Sequence, residues 1–232
     1  MIQTVPETGS TNADLAARLR AGEALPEGYW LVADRQTGGR GRQGRVWEGG
    51  AGNFMGSTIV RRGQGDPPAQ TLAFVAGLAV IEALRPHCDG LRLKWPNDVL
   101  LGGAKLAGIL LEAEGDAVIV GIGANLAAAP PVADRPVACL PEPVARDTFA
   151  EQLAQCFAGQ VARWRTYGVE PLLTRWSAAA HPLGKMLSVH EPDGAHLSGT
   201  FGGLDPDGAL LLRLADGSVS AIHAGDVTIE GQ

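Results

Sequence analysis

Leu91-Arg92-Leu93-Lys94-Trp95-Pro96-Asn97-Asp98-Val99-Leu100-Leu101, followed by Lys105-Leu106-Ala107-Gly108-Ile109-Leu110 and Gly121-Ile122-Gly123-Ala124-Asn125, is the stretch on which the fold turns. Leu91 to Lys94, Ala107 to Glu112 and Ala117 to Gly121 read as short strands with turns between them. Pro96-Asn97-Asp98 taken alone is a turn signal, and Lys105 beside its glycines, taken alone, is a solvated side chain. Just upstream, Ala69 to Leu84 carries Leu72, Val75, Ala76, Ala79, Val80 and Ala83 at helical spacing and ends before Pro86. A helix that feeds a run of short strands points to an α+β domain.

Working outward, Ser10-Thr11-Asn12 precedes an apolar-periodic segment from Ala13 to Leu19 that is closed by Gly22, the pattern of a capped helix. Tyr29 to Ala33 reads as a buried strand and Phe54 to Val60 as another. Residues 130 to 145 hold five prolines and form a wandering connection, followed by helices near 147–166 and 169–180. After His181-Pro182 the texture changes. Short strands alternate with Asp-Gly turns at Asp193-Gly194, Asp207-Gly208 and Asp216-Gly217, which suits a small β-barrel and sets a boundary that divides the chain into 1–180 and 181–232.

Composition excludes several classes. The net charge is -6, which argues against a protein whose whole surface binds nucleic acid. Cys88, Cys139 and Cys156 are odd in number and lack metal-ligand spacing, so they read as reduced cysteines of a cytoplasmic protein. The N-terminus has neither a basic nor an apolar signal segment, and no apolar run is long enough to span a bilayer.

Between the first two of these strands lies Gly39-Arg40-Gly41-Arg42-Gln43-Gly44-Arg45-Val46-Trp47. Glycines let backbone bend close to a ligand, and guanidinium forks grip phosphate and carboxylate oxygens. Alone, the loop reads equally as mobile surface or as a clasp for a phosphate-bearing ligand. In order along the chain stand Ser10-Thr11-Asn12, Gln36, this loop, Lys94 to Asp98, Lys105 to Leu110 and Gly121 to Asn125. That ordered set closely resembles the biotin protein ligases, and the Asp-Gly-rich tail resembles the family's small SH3-like barrel.

The resemblance implies a catalytic domain with a mixed, largely antiparallel sheet, plus the C-terminal barrel. It implies ATP and biotin as substrates with Mg²⁺, and a biotin carboxyl carrier protein as acceptor. By this resemblance Lys105 stabilises charge near the biotin carboxylate and the α-phosphate. Arg40, Gly41 and Arg42 contact biotin or the acyl-phosphate, with Arg45 nearby on the nucleotide side. Ser10, Thr11, Asn12 and Gln36 match positions that recognise biotin's neutral ureido ring, and a helix cap at Ser10 is compatible with that role. Trp47 packs over the ligand, Asn125 meets the adenine edge, and Asn97 lies near the phosphates. Asp98 has three readings: a Mg²⁺ ligand, a turn former, or a partner for an arginine.

Some features depart from the family pattern. Ser10 leaves no room for an N-terminal winged helix, so DNA binding is not expected. Gln43 stands where relatives often carry a basic residue, and no basic residue follows His223. Membrane association is not expected either. A homodimer is compatible with the resemblance, since some relatives dimerise through sheet edges. The rival reading is a lipoate or octanoate ligase, against which the Lys94–Asp98 motif and the hydroxyl-amide cluster both speak. A nucleic-acid-binding module built on the arginine loop is the reading from another class.

Overall fold

The computed structural model describes residues 1–132, 136–191 and 194–230. A seven-stranded sheet has the order β1-β2-β3-β7-β6-β5-β4, from β1 (Ile2–Thr8), β2 (Trp30–Gln36), β3 (Phe54–Arg61), β4 (Leu91–Lys94), β5 (Asp98–Leu101), β6 (Ala104–Glu114) and β7 (Ala117–Ala124). Only the β1–β2 pair is parallel, with α1 (Thr11–Arg20) as its crossover, and the other neighbours are antiparallel. A crossover helix is what a parallel pair needs, while adjacent antiparallel strands close through short turns.

Helix α2 (Leu72–Leu84) is almost wholly buried, and α3 (Arg146–Tyr167) packs against it on one face of the sheet. α1 covers the other face, where Leu15 meets Leu31, Ile59 and Ile119. Strand β7 lies between these two layers and is buried at every position. A strand covered on both faces reads as a continuous apolar run, which is why 117–124 shows no alternation. Its residues still divide by face: Val118, Val120 and Ile122 join the α2–α3 core, and Ile119 joins the α1 core.

After α4 (Val169–Ala179) a second sheet begins, with order β11-β10-β9-β8-β12 and antiparallel throughout. Its strands are β8 (Met186–His190), β9 (His196–Leu204), β10 (Leu210–Arg213), β11 (Val219–Ile222) and β12 (Asp226–Ile229). The α+β expectation holds. Two strands escape the sequence reading. β1 is an edge strand with a proline and mostly exposed side chains, so it lacks the buried alternation that marks a strand. β5 begins directly on Asp98, so the turn is confined to 95–97, and the Trp95–Pro96 peptide is cis. The predicted 69–84 helix opens with a 3₁₀ turn at Ala69–Thr71. Asp193 of one predicted Asp-Gly turn, and part of the 130–145 connection, lie outside the described residues.

Candidate active site

The site-facing residues follow from sheet register. Ser57 pairs with Gly121 and Met55 with Gly123 across β3–β7, while Gly108 pairs with Gly123 and Glu112 with Ile119 across β6–β7. These residues share the face that α1 covers. Beyond Ile119 the apolar side chains of β7 give way to Gly121 and Gly123, which opens a cleft where a core would otherwise continue. A methyl group on Gly121 would lie 2.4 Å from Asn12 Oδ1, and one on Gly123 2.2 Å from the Trp47 ring. The glycines therefore make room for the site's own side chains.

The start of α1 supplies a polar cluster. Ser10 caps the helix, its Oγ accepting from Ala13 N at 3.5 Å. Gln36 Oε1 accepts from Thr11 N at 2.8 Å and from Thr11 Oγ1 at 3.1 Å. Thr11 Oγ1 lies 2.6 Å from Ser57 Oγ, which donates to Asn12 Oδ1 at 2.6 Å. Asn12 Nδ2 donates to Glu112 Oε2 at 2.7 Å, and Glu112 Oε1 is 3.5 Å from Arg40 Nη2. Two hydroxyl protons thus serve three contacts, and the amides of Asn12 and Gln36 bring donors as well as acceptors to the cluster.

The arginine loop folds back on itself. Gly41 N donates to Arg45 O at 2.7 Å and Trp47 N to Gly39 O at 2.9 Å. The Trp47 ring lies over the Gly108–Gly123 pair, with Lys105 Nζ 5.7 Å from its centroid. Its Nε1 is buried without a hydrogen-bond partner among the described residues. Arg42 Nη1 donates to Asn97 Oδ1 at 3.4 Å. Burial lowers the proton affinity of the Arg42 guanidinium, Asp226 opposes this, Arg45 adds to it, and Asp98 opposes it again.

Lys105 sits on β6 beside β5, and its Nζ is 2.5 Å from Asp98 Oδ1, with side chains 16% and 13% exposed. This is an ionic contact without hydrogen-bond alignment. Asn97 ties the 95–97 turn to β6, its Nδ2 donating to Ile109 O at 2.6 Å and its own carbonyl accepting from Ile109 N at 2.9 Å. Asn125 is buried, donating from Nδ2 to Ala138 O at 3.0 Å and accepting from Asn53 Nδ2 at 3.2 Å. Its amide therefore also anchors the chain that follows β7.

All thirteen residues singled out from the sequence line one cleft: Ser10, Thr11, Asn12, Gln36, Arg40, Gly41, Arg42, Arg45, Trp47, Asn97, Asp98, Lys105 and Asn125. Ser57, Glu112 and Asp226 are joined to them through contacts that no local motif announces. Ser57 alone carries a trace, as a hydroxyl inside an apolar strand. No group of three or more His, Cys, Asp or Glu side chains able to hold a metal occurs among the described residues. Asp98 faces Lys105, so of its three readings the contact seen here is an ion pair, with a lysine in place of an arginine.

Two family models match the chain: the biotin/lipoate A/B protein ligase family over residues 7–125, and the biotin protein ligase C terminal domain over residues 183–229. The chain is 42% identical to a biotin–[acetyl-CoA-carboxylase] ligase of Paracoccus denitrificans, over 89% of this chain and 91% of that protein. It is 36% identical to the enzyme of that name from Mycobacterium tuberculosis, over 97% and 88%. The fold is similar to that of a biotin protein ligase from Aquifex aeolicus in complex with biotin and ATP, with a TM-score of 0.85 at 23% identity and 99% of each chain covered.

Proposed function

This chain belongs to the biotin/lipoate A/B protein ligase family as a biotin protein ligase, and from that premise we propose how its cleft divides the work of two half-reactions. In the first, a biotin carboxylate oxygen bonds to the α-phosphorus of ATP and pyrophosphate leaves. In the second, a lysine amine of a biotin carboxyl carrier protein bonds to the activated carbonyl carbon and AMP leaves. Neither step needs a covalent enzyme intermediate. What both need is positioning, and positive charge beside oxygens that gather negative charge.

The single observation that carries this reading is the juxtaposition of a neutral polar cluster with a cationic one in the same cleft. The Thr11–Ser57–Asn12–Gln36 cluster offers hydroxyl and amide groups that both donate and accept, so a neutral ring with its own N–H groups and carbonyl matches it. A ureido ring supplies such groups and a lipoyl or octanoyl chain does not. This favours biotin over the acids of the sister ligases. Toward the loop the character changes to Arg40, Arg42, Arg45 and Lys105, which suits a carboxylate meeting a phosphate.

Lys105 is assigned to the reacting oxygens, with Asp98 holding its ammonium in place. A unit charge at about 4 Å and an effective dielectric of ~20 is worth about 4 kcal/mol, or roughly a thousandfold in rate if it acts only in the transition state. Arg40, Gly41 and Arg42 close over the acyl-phosphate, and Trp47 packs on the ligand with them, excluding water that would hydrolyse the adenylate. Asn97 holds Arg42, and Asn125 shapes the nucleotide end. Mg²⁺ is assigned to the nucleotide's phosphate oxygens rather than to a protein cage.

ATP–pyrophosphate exchange with purified protein tests the reading. Biotin should drive exchange and lipoate and octanoate should not. Exchange driven by lipoate would move the chain to the sister ligases, and exchange with none of the three would overturn the assignment.

A further inference from the structure

The C-terminal sheet reaches the arginine loop through Asp226, the first residue of β12, whose Oδ1 lies 2.6 Å from Arg45 Nη2 across 181 residues of chain. Asp226 and its neighbour Val227 also line the cleft itself. The carboxylate stands on a fixed base. Asp226 pairs with His190 and Val227 with Val189 in the β8–β12 ladder. The preceding Gly225 packs so closely that a methyl group there would lie 2.9 Å from Val189 Cγ1 and 3.0 Å from His190 O.

The loop is held by its own backbone bonds, Gly41 N to Arg45 O and Trp47 N to Gly39 O, while the Arg45 side chain has few partners inside it. Arg45 Nε donates to Arg42 O at 3.3 Å, and Arg45 Nη2 to Gln43 Oε1 at 3.0 Å. Its turn uses left-handed backbone at Gln43, with φ 56°, and at Gly44, with φ 73°. Left-handed backbone is unfavourable for a residue with a Cβ and persists where surrounding contacts hold it. The loop also brings Arg42 and Arg45 together, two like charges that repel. Asp226 answers both needs: it binds Arg45 directly, and its negative charge offsets the mutual repulsion of the pair.

We propose that Asp226 is a positioning residue of the ligase reaction: from the C-terminal sheet it latches Arg45, and through it Arg42, over the catalytic cleft. The C-terminal sheet is on this view part of the lid. The latch is weak by construction, because the Arg45 and Asp226 side chains are 35% and 48% exposed. Exposed ion pairs contribute little and are screened by salt. A weak latch suits a lid that must open for substrate entry and for the carrier lysine.

The part of this proposal that concerns adenylate retention rests on the ligase reading, so the experiment has a ligand-free arm. Amide hydrogen exchange is measured across residues 39–47 in the free wild-type protein and in Asp226→Asn, Asp226→Glu, Arg45→Gln and the Asp226→Asn/Arg45→Gln double variant. Asp226→Asn should accelerate exchange in this segment by about 2–5-fold, while the β8 and β12 amides keep their protection. Asp226→Glu should restore most of the protection, and the double variant should exchange no faster than the faster single variant. In the second arm, dissociation of biotinyl-5'-adenylate should accelerate by a similar factor in Asp226→Asn. Unchanged exchange over 39–47, additive effects in the double variant, or lost protection in β8 and β12 would each overturn the latch. Accelerated exchange in a protein that forms no adenylate would support the latch while overturning the ligase reading.

Discussion

Lys105 and Asp98 form a mostly buried ion pair, and removing one partner leaves the other exposed to the full cost of burial. Lys105→Ala should therefore lower biotin-dependent pyrophosphate exchange by about a thousandfold and also reduce stability by about 1–3 kcal/mol. Adding Asp98→Asn should recover the stability and not the exchange. Recovery of both would assign Lys105 a structural role only. Gly121 makes a different kind of contribution, through what it lacks. Its Cβ would sit 2.4 Å from Asn12 Oδ1, and Asn12 is held by Ser57 and Glu112, so it has little freedom to yield. Gly121→Ala should cost about 1–3 kcal/mol in stability and weaken biotin binding about tenfold or more, as read by calorimetric titration. Unchanged affinity would separate the polar cluster from biotin recognition.

At the scale of elements, the junction between α4 and β8 holds His181, which is 8% exposed with its Nε2 unpartnered among the described residues. Burial, and then the charges of Lys94, Lys185 and Arg92, push its pKa from 6.5 down to about 4. The folded state thus refuses a proton that the unfolded chain accepts. Stability from this group is complete above about pH 6.5 and is lost as pH falls toward 4, by up to about 3 kcal/mol. His181→Leu should flatten the fall in melting temperature over that interval. A wild-type and variant pair with parallel pH profiles would contradict the assignment. The same scale shows what patterning can register. α2 and β7 were legible because their apolar residues are dense enough to demand burial. β1 was not, because an exposed edge strand held by backbone pairing to β2 leaves little imprint on side-chain type.

At the scale of the whole molecule, the two sheets share one hydrophobic core, which runs from Phe74 and Trp95 to Phe201, Leu212 and Val227. Trp95 Nε1 donates to Gly208 O at 3.0 Å, and the turn at Gly208 packs against Phe74. We therefore expect urea unfolding in a single transition. Trp95→Phe should lower its free energy by about 1 kcal/mol, by leaving a buried carbonyl unpaired, whereas an unchanged midpoint would show that this bond does not stabilise the junction. The sequence by itself determined most of the element types, because local spacing encodes capping, turns and burial, and its ordered motifs pointed through their resemblance to the family and to thirteen residues of the cleft. The tertiary structure alone decided that Ser57 and Glu112 complete the Asn12 cluster, that Trp47 lies on a pair of glycines, and that Asp226 grips Arg45. Those contacts join residues tens to hundreds of positions apart, where strand register and sheet packing, not local pattern, set which side chains meet.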